Sequence, residues 1–260
     1  MLKKLIAWLI VAYLAAILVA LYAVKRPTST ETQTAPSETQ VLIKKPDFSA
    51  IKDIPTRKKA FFSYLRPMIN IQNKKLENDR AAVLALTENG SLNRKQRVKL
   101  AALARKYHVL EPDEALAEDA SSVESELLKR VDSIPPALVL AQAANESSWG
   151  RSRFAREGNN YFGQWCFKAG CGIVPAKRPE GDIHEVRKFD SAQESVAAYF
   201  NNINSHPAYS DLRDLRAQMR AQNETITGSA LAAGLQSYSE RGAEYVEELR
   251  TMMRVNKLEP

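Results

Sequence analysis

The chain has 260 residues, 45% of them hydrophobic, and a formal net charge of +7. That length admits one ordinary domain with accessory parts and at most two compact units. The lysines and arginines are spread along the chain with no nucleic-acid motif beside them, so we expect no nucleic-acid partner; the charge fits approach to an anionic cell wall or ordinary solvated helix faces.

Residues 5–24 form an uninterrupted apolar run, about the length that crosses a bilayer core of about 30 Å. It reads as an N-terminal transmembrane helix inside a membrane anchor at 1–26. A cleaved signal peptide is the competing reading, but its apolar region is usually only about 7 to 15 residues, and Leu21 before Ala23 suits a cleavage site poorly. Lys3 and Lys4 favour a cytoplasmic start, whereas Lys25 and Arg26 weaken that argument. Residues 27–47 read as a flexible polar linker, threonine-rich and without core-forming side chains from 27 to 40.

A helical accessory region is expected at 48–130. Phe61, Tyr64, Leu65, Met68, Ile69 and Ile71 recur at helical spacing, and a helix pair follows. Asn89-Gly90 breaks the pattern, Ser91 or Asn93 can cap a further helix, and Val98, Leu100, Leu103, Tyr107 and Val109 continue the periodicity. Residues 115–131 predict another helix. The acidic residues from Glu111 to Glu126 read as a solvated face, and the scattered His108, His184 and His206 give no ligand pair, so neither metal nor cofactor is expected.

The remaining stretch, 131–260, carries the chemistry. Ile134-Pro135-Pro136 starts a helix, which runs through Ala141-Gln142-Ala143-Ala144-Asn145-Glu146-Ser147-Ser148-Trp149-Gly150, where Gly150 suits the stop. One carboxylate, Glu146, thus ends an otherwise apolar helix. Burial beside Trp149 would lift its pKa from a reference of about 4.3, which suits a proton donor to a glycosidic oxygen. Taken alone, an exposed helix-end glutamate is the commoner situation.

The segment 141–150 resembles the helix of glycoside hydrolase family 73, bacterial N-acetylglucosaminidases that carry Ala-Gln-Ala-x-x-Glu-Ser-x-Trp-Gly. Gly158-Asn159-Asn160-Tyr161-Phe162-Gly163 is similar to the family's Asn-x-Phe-Gly segment, and Gly234-Leu235-Gln236-Ser237-Tyr238-Ser239 stands where its Gly-Tyr-Ala-Thr segment would be. Ile134-Pro135-Pro136 and Tyr161-Phe162-Gly163-Gln164-Trp165-Cys166 resemble a membrane-anchored glucosaminidase-like branch. The resemblance implies a mainly α, lysozyme-like domain with a small β-hairpin lobe, Glu146 as general acid, and peptidoglycan glycan strands as partner. Hydrolysis of the β-1,4 bond after N-acetylglucosamine is the implied activity. Alternatives are a lytic transglycosylase or a non-catalytic cell-wall-binding or morphogenetic protein. The implied location is the bacterial inner membrane, with one membrane pass and the catalytic domain in the periplasm.

Around Glu146, residues 172–189 predict a hairpin with three carboxylates. Glu180 is the preferred second catalytic group, because Pro179-Glu180-Gly181-Asp182 forms a turn-like tip, whereas Glu185 can pair with nearby basic residues. A second protein carboxylate is unnecessary if the substrate's acetamido group assists. Tyr238 is a further catalytic candidate with core packing as the alternative. Trp149 is expected to wall the acid, and Asn160, Tyr161 and Trp165 join it as substrate-binding candidates; for both aromatics of that trio core packing is an equal reading. Cys166 and Cys171 are spaced to close a small disulfide loop in an oxidising compartment, or stand as free buried thiols.

Overall fold

The computed structural model describes residues 44–88 and 90–259. The apolar run at 5–24 and the threonine-rich stretch at 27–40 lie outside the described residues, and among those described no helix is long and apolar enough to cross a membrane. Helix α1 (Ile54–Thr87) starts where the Asp53 carboxylate accepts the Thr56 N–H at 2.8 Å and Pro55 occupies the first turn, where a missing N–H costs nothing. It buries Phe61, Tyr64, Leu65, Met68, Ile69, Leu76 and Val83, the one-face spacing of an amphipathic helix. Helix α2 (Arg94–Lys106) begins with a reciprocal capping box between Asn93 and Gln96.

The helix predicted at 115–131 is shorter. Only Ser121–Arg130 is helical, as α3. Upstream, the Arg97 guanidinium takes the carbonyls of Leu116, Ala117 and Glu118. Those bonds satisfy backbone acceptors outside a helix, so residues 115–120 have an alternative to coiling.

Helix α4 (Pro136–Ser147) carries Glu146 and is the buried axis of the molecule. From Leu138 through Ala144 every residue is buried completely. Helix α5 (Arg153–Gly158) follows, then a three-stranded antiparallel sheet of β1 (Trp165–Cys166), β2 (Gly172–Ile173) and β3 (Glu185–Arg187), ordered β1-β3-β2. The expected hairpin is the β2–β3 pair, and Trp165 opposite Val186 adds a third strand. The chain closes with α6 (Ala192–Ser205), α7 (Ser210–Ala221), the short α8 (Gly228–Leu231) running into a 3-10 segment at Ala232–Tyr238, and α9 (Ala243–Val255). Gly234 permits that segment's approach to α7, since a Cβ there would stand 2.3 Å from Leu212 Cα. One hydrophobic interior runs from Phe48 to Met253, so the helices at 54–130 share their core with those that follow.

A buried polar clamp sets the register of α4. The Asp132 carboxylate, 2% exposed, accepts from the Arg220 guanidinium and lies 3.6 Å from Arg80 and 3.8 Å from Arg216. Burial alone would push this carboxyl up, yet the three guanidinium groups outweigh it and hold it below the usual carboxylate range. Arg216, fully buried, also donates to the carbonyls of Lys129 and Ser133 and to Asn204 Oδ1. Asn73 of α1 makes two 2.9 Å bonds with the backbone of Ile134. The clamp therefore joins α1, α6 and α7 to the three residues that lead into the acid-bearing helix.

Residues 44–47, expected as the end of the linker, are partly engaged. Lys45 Nζ donates to Ala155 O at 2.7 Å, Arg156 O at 3.0 Å and Asn159 Oδ1 at 2.8 Å. A cation here meets the C-terminal carbonyls of α5, which carry partial negative charge. Phe48 follows, 2% exposed and edge-on to Phe61 and Tyr64. Lys45→Ala is expected to cost about 2 kcal/mol, the scale of hydrogen bonds from a charged donor, and to lower Tm by about 4–8 °C; an unchanged melting curve would exclude this strap as a stabilising element. Asp132→Asn, which leaves three guanidinium groups without their carboxylate, is expected to cost about 3–5 kcal/mol, read from urea unfolding.

Candidate active site

Helix α4 ends because the chain turns left-handed for three residues in succession, at Ser148 (φ 50°), Trp149 (φ 60°) and Gly150 (φ 76°). The stop thus falls two residues before the expected Gly150. Two of the three residues carry a Cβ, which makes such a turn costly by about 1–3 kcal/mol each unless its surroundings enforce it. Here Ser147 Oγ donates to Ala143 O at 2.6 Å and accepts the Gly150 N–H at 2.8 Å. The Phe48 ring lies against Gly150 so closely that a Cβ would come within 2.3 Å of it.

Glu146, one position before the end of the helix, is half-buried. Its Oε1 accepts the Tyr245 hydroxyl at 2.9 Å. The Tyr245 oxygen accepts Gln142 Nε2 at 3.1 Å, and Gln142 Oε1 accepts a short hydrogen bond from the Tyr199 hydroxyl. Tyr199, Gln142 and Tyr245 are buried, and every donation in this chain runs toward Glu146. Such aligned bonds polarise one another. The other oxygen, Oε2, faces the backbone of Gly163, whose φ is 66° and where a Cβ would stand 3.8 Å away.

Burial pushes the Glu146 carboxyl above the usual carboxylate range; the Tyr245 hydrogen bond opposes this, Glu248 adds to it, and Arg241 opposes it again. Arg241 and Glu248 are paired with each other, so their opposing influences arrive together. Desolvation is the largest effect, and the carboxyl is biased toward the protonated form.

The other sequence-derived candidates fall in different places. The Tyr238 hydroxyl donates to Phe162 O at 3.0 Å, and its ring lies parallel to Tyr245, 5.6 Å between centroids. Tyr238 is therefore a brace between the 160–163 turn and α9. Asn160, 1% exposed, donates to the carbonyls of Gln164 and Arg187 and accepts the N–H groups of Phe162 and Gln164. Tyr161 is fully buried against Phe61 and Tyr64. These two residues build the turn from inside and present no open face. Trp149 packs edge-on to Phe61 and Phe62 with Lys58 Nζ 4.8 Å from its ring centroid, so its contacts are made with α1. Trp165 is 58% exposed and stacks on His184 at 4.5 Å.

In the sheet lobe, Cys166 and Cys171 form a disulfide. Glu185 is buried and accepts the backbone N–H groups of Gly170 at 3.0 Å and Gly172 at 2.7 Å, bonds that hold its carboxyl below the usual range. The amides of the disulfide loop are the main partners of Glu185, and Arg178 adds the expected basic influence from nearby. The two sulfurs and Glu185 lie within 4.8 Å of one another, but bonded sulfurs are not thiolate ligands. Asp182 lies 3.5 Å from His184, and Glu180 is exposed at the tip.

Gln142, Tyr199 and Tyr245 were not among the expected site residues. A signal for Gln142 existed: an amide one turn before Glu146 in an apolar helix shares its face. Tyr199 and Tyr245 carry no local signal, because their hydroxyl partners lie 57 and 99 positions away.

The family model described as mannosyl-glycoprotein endo-beta-N-acetylglucosaminidase matches residues 125–258. The chain is 34% identical over 212 residues to protein bax of Escherichia coli (strain K12), covering 82% of this chain and 74% of that protein. Among solved structures, it is similar to the catalytic domain of the autolysin Auto from Listeria monocytogenes at 17% identity, covering 81% of this chain and 90% of that one, with a TM-score of 0.41.

The raised carboxyl has a consequence for stability. A group that holds its proton more tightly when folded contributes stability that is complete below its unfolded pKa and lost as pH rises through the folded value. Glu146→Gln is therefore expected to match the parent's Tm in acid and to exceed it at neutral and alkaline pH; a constant difference across pH would contradict the bias toward protonation.

Proposed function

The chain belongs to the mannosyl-glycoprotein endo-beta-N-acetylglucosaminidase family, and on that premise we propose that it hydrolyses peptidoglycan at the β-1,4 bond after N-acetylglucosamine. The observation that carries this reading is the half-buried Glu146, with one oxygen held by Tyr245 and the other facing the backbone of Gly163. Since Tyr245 donates to Oε1, the proton to be delivered resides on Oε2. Glycosidic cleavage requires that proton on the leaving oxygen as the sugar acquires cationic character. Peptidoglycan as the polymer rests on the sequence resemblance to bacterial N-acetylglucosaminidases, and a periplasmic site on the inner membrane rests on the apolar run at 5–24.

Glu180 is the proposed second carboxylate. Within the lobe, Glu185 is spent on two amides and Asp182 faces His184, whereas Glu180 stands exposed in the 179–182 turn. Water activation by Glu180 requires the tip to meet the bound glycan; assistance from the substrate's own acetamido group would dispense with it. Tyr238 contributes by holding the Phe162 carbonyl, and through it the turn that faces the acid.

Mass spectrometry of purified peptidoglycan treated with this protein is expected to show new reducing N-acetylglucosamine ends. Glu146→Gln is expected to slow their release by about 10²–10⁴-fold, the range contributed by a general acid. Anhydromuramic ends would identify transglycosylation instead, and saturable binding without any product would identify a wall-binding protein.

A further inference from the structure

A second groove lies on the outward face of α1, away from the residues that bond Glu146. It has a volume of about 760 Å³ and is lined along α1 by Lys58, Lys59, Phe62, Arg66 and Pro67, with Lys257 beyond the end of α9 on the other wall. No carboxylate lines it. Lys58 lies over the Trp149 ring, while Lys59, Arg66 and Lys257 have no ion pair among the described residues. Four cations around one concavity without an acid focus a positive potential there, which favours an anionic occupant.

We infer that this groove binds the carboxylate-bearing stem peptide of the glycan substrate, an inference that rests on the proposed peptidoglycan activity. Lys59 and Arg66 are seven residues apart on one helix, a rise of about 10 Å, and an extended peptide covers that distance in about three residues. Successive carboxylates of a short acidic peptide therefore meet successive cations, with the exposed part of Phe62 and the Pro67 ring between them for its aliphatic parts. A single small anion would engage one end and leave the rest unmatched. A flat bilayer surface would not enter the concavity. The groove is also tied to the catalytic helix, because Phe62 packs edge-on to Trp149 at 5.3 Å and Trp149 lies three residues after Glu146.

The test uses the full chain in mild detergent, with isothermal titration of a free stem peptide and, separately, cleavage of glycan strands from which the peptides have been removed. The triple variant Lys59→Gln, Arg66→Gln, Lys257→Gln is expected to bind the peptide at least tenfold more weakly, with a flatter salt dependence, and to cleave peptide-free glycan at the parent's rate. Amidating the peptide's carboxylates is expected to abolish its binding to the parent. Equal peptide affinity in parent and variant, indifference to amidation, or a preference for polyphosphate over the peptide would each overturn the assignment. Peptide binding lost in the variant while the parent cleaves no glycan would overturn the hydrolase reading and leave the groove's assignment standing.

Discussion

The direction of one hydrogen-bond chain governs this molecule: Tyr199 donates to Gln142, Gln142 to Tyr245, and Tyr245 to Glu146. Three helices must meet for it to exist, since Tyr199 comes from α6, Gln142 and Glu146 from α4, and Tyr245 from α9. The amide of Gln142 is fully buried and bonds Tyr245 and Tyr199, so loss of alignment would strand polar groups in the core, where each costs about 1–3 kcal/mol. The Asp132 clamp meets the same demand at the other end of α4. There the arginines of α7 and the asparagine of α1 fix where the helix begins, and hence where its last turn delivers the carboxylate.

Two acidic side chains show how the surroundings decide charge. Asp132 is the more deeply buried, yet three guanidinium groups keep it ionised. Glu146 is only half-buried and has one phenol as donor, with Arg241 already engaged by Glu248, so desolvation prevails and the proton is favoured. Burial depth alone would have ranked them the other way. The deciding quantity is how many cations share the space, which separates an anchoring carboxylate from one able to give up a proton.

Much of this was legible in the chain. The apolar run of α4, the proline pair before it and the single carboxylate at its end are local patterns, and they place Glu146 on its helix without reference to anything distant. The Cys166–Cys171 loop is likewise local, since only five positions separate its ends. What was not legible depends on partners brought together by folding. The roles of Tyr245 and Tyr199 follow from cross-helix bonds, and a buried tyrosine has the same periodicity whether or not its hydroxyl is used. Asparagine can tie down a turn, and Asn160 does so with four backbone bonds, but that the same bonds leave it buried rather than open to substrate depends on Gln164 and Arg187 being brought to it. Lys45 looked like linker because a lysine that follows the polar tether carries no sign that two carbonyls of α5 and the side chain of Asn159 await it. The 115–120 stretch kept a helical pattern and lost its helix to carbonyl bonds from Arg97, more than nineteen positions upstream at most contacts.

The strap formed by Lys45 and Phe48 also determines how the protein would respond to mechanical load. Tension applied to the chain at residue 44 reaches Lys45 first and passes into the last turn of α5, whose exit leads through Asn160 to Gly163 beneath one oxygen of Glu146. It reaches Phe48 next and passes to Gly150, which is bonded to Ser147 beside the same glutamate. One path thus leads to Gly163, beside Oε2 of Glu146, and the other to Ser147, the next residue in the chain, so a pull on the amino-terminal segment is carried toward the acid as well as into the core.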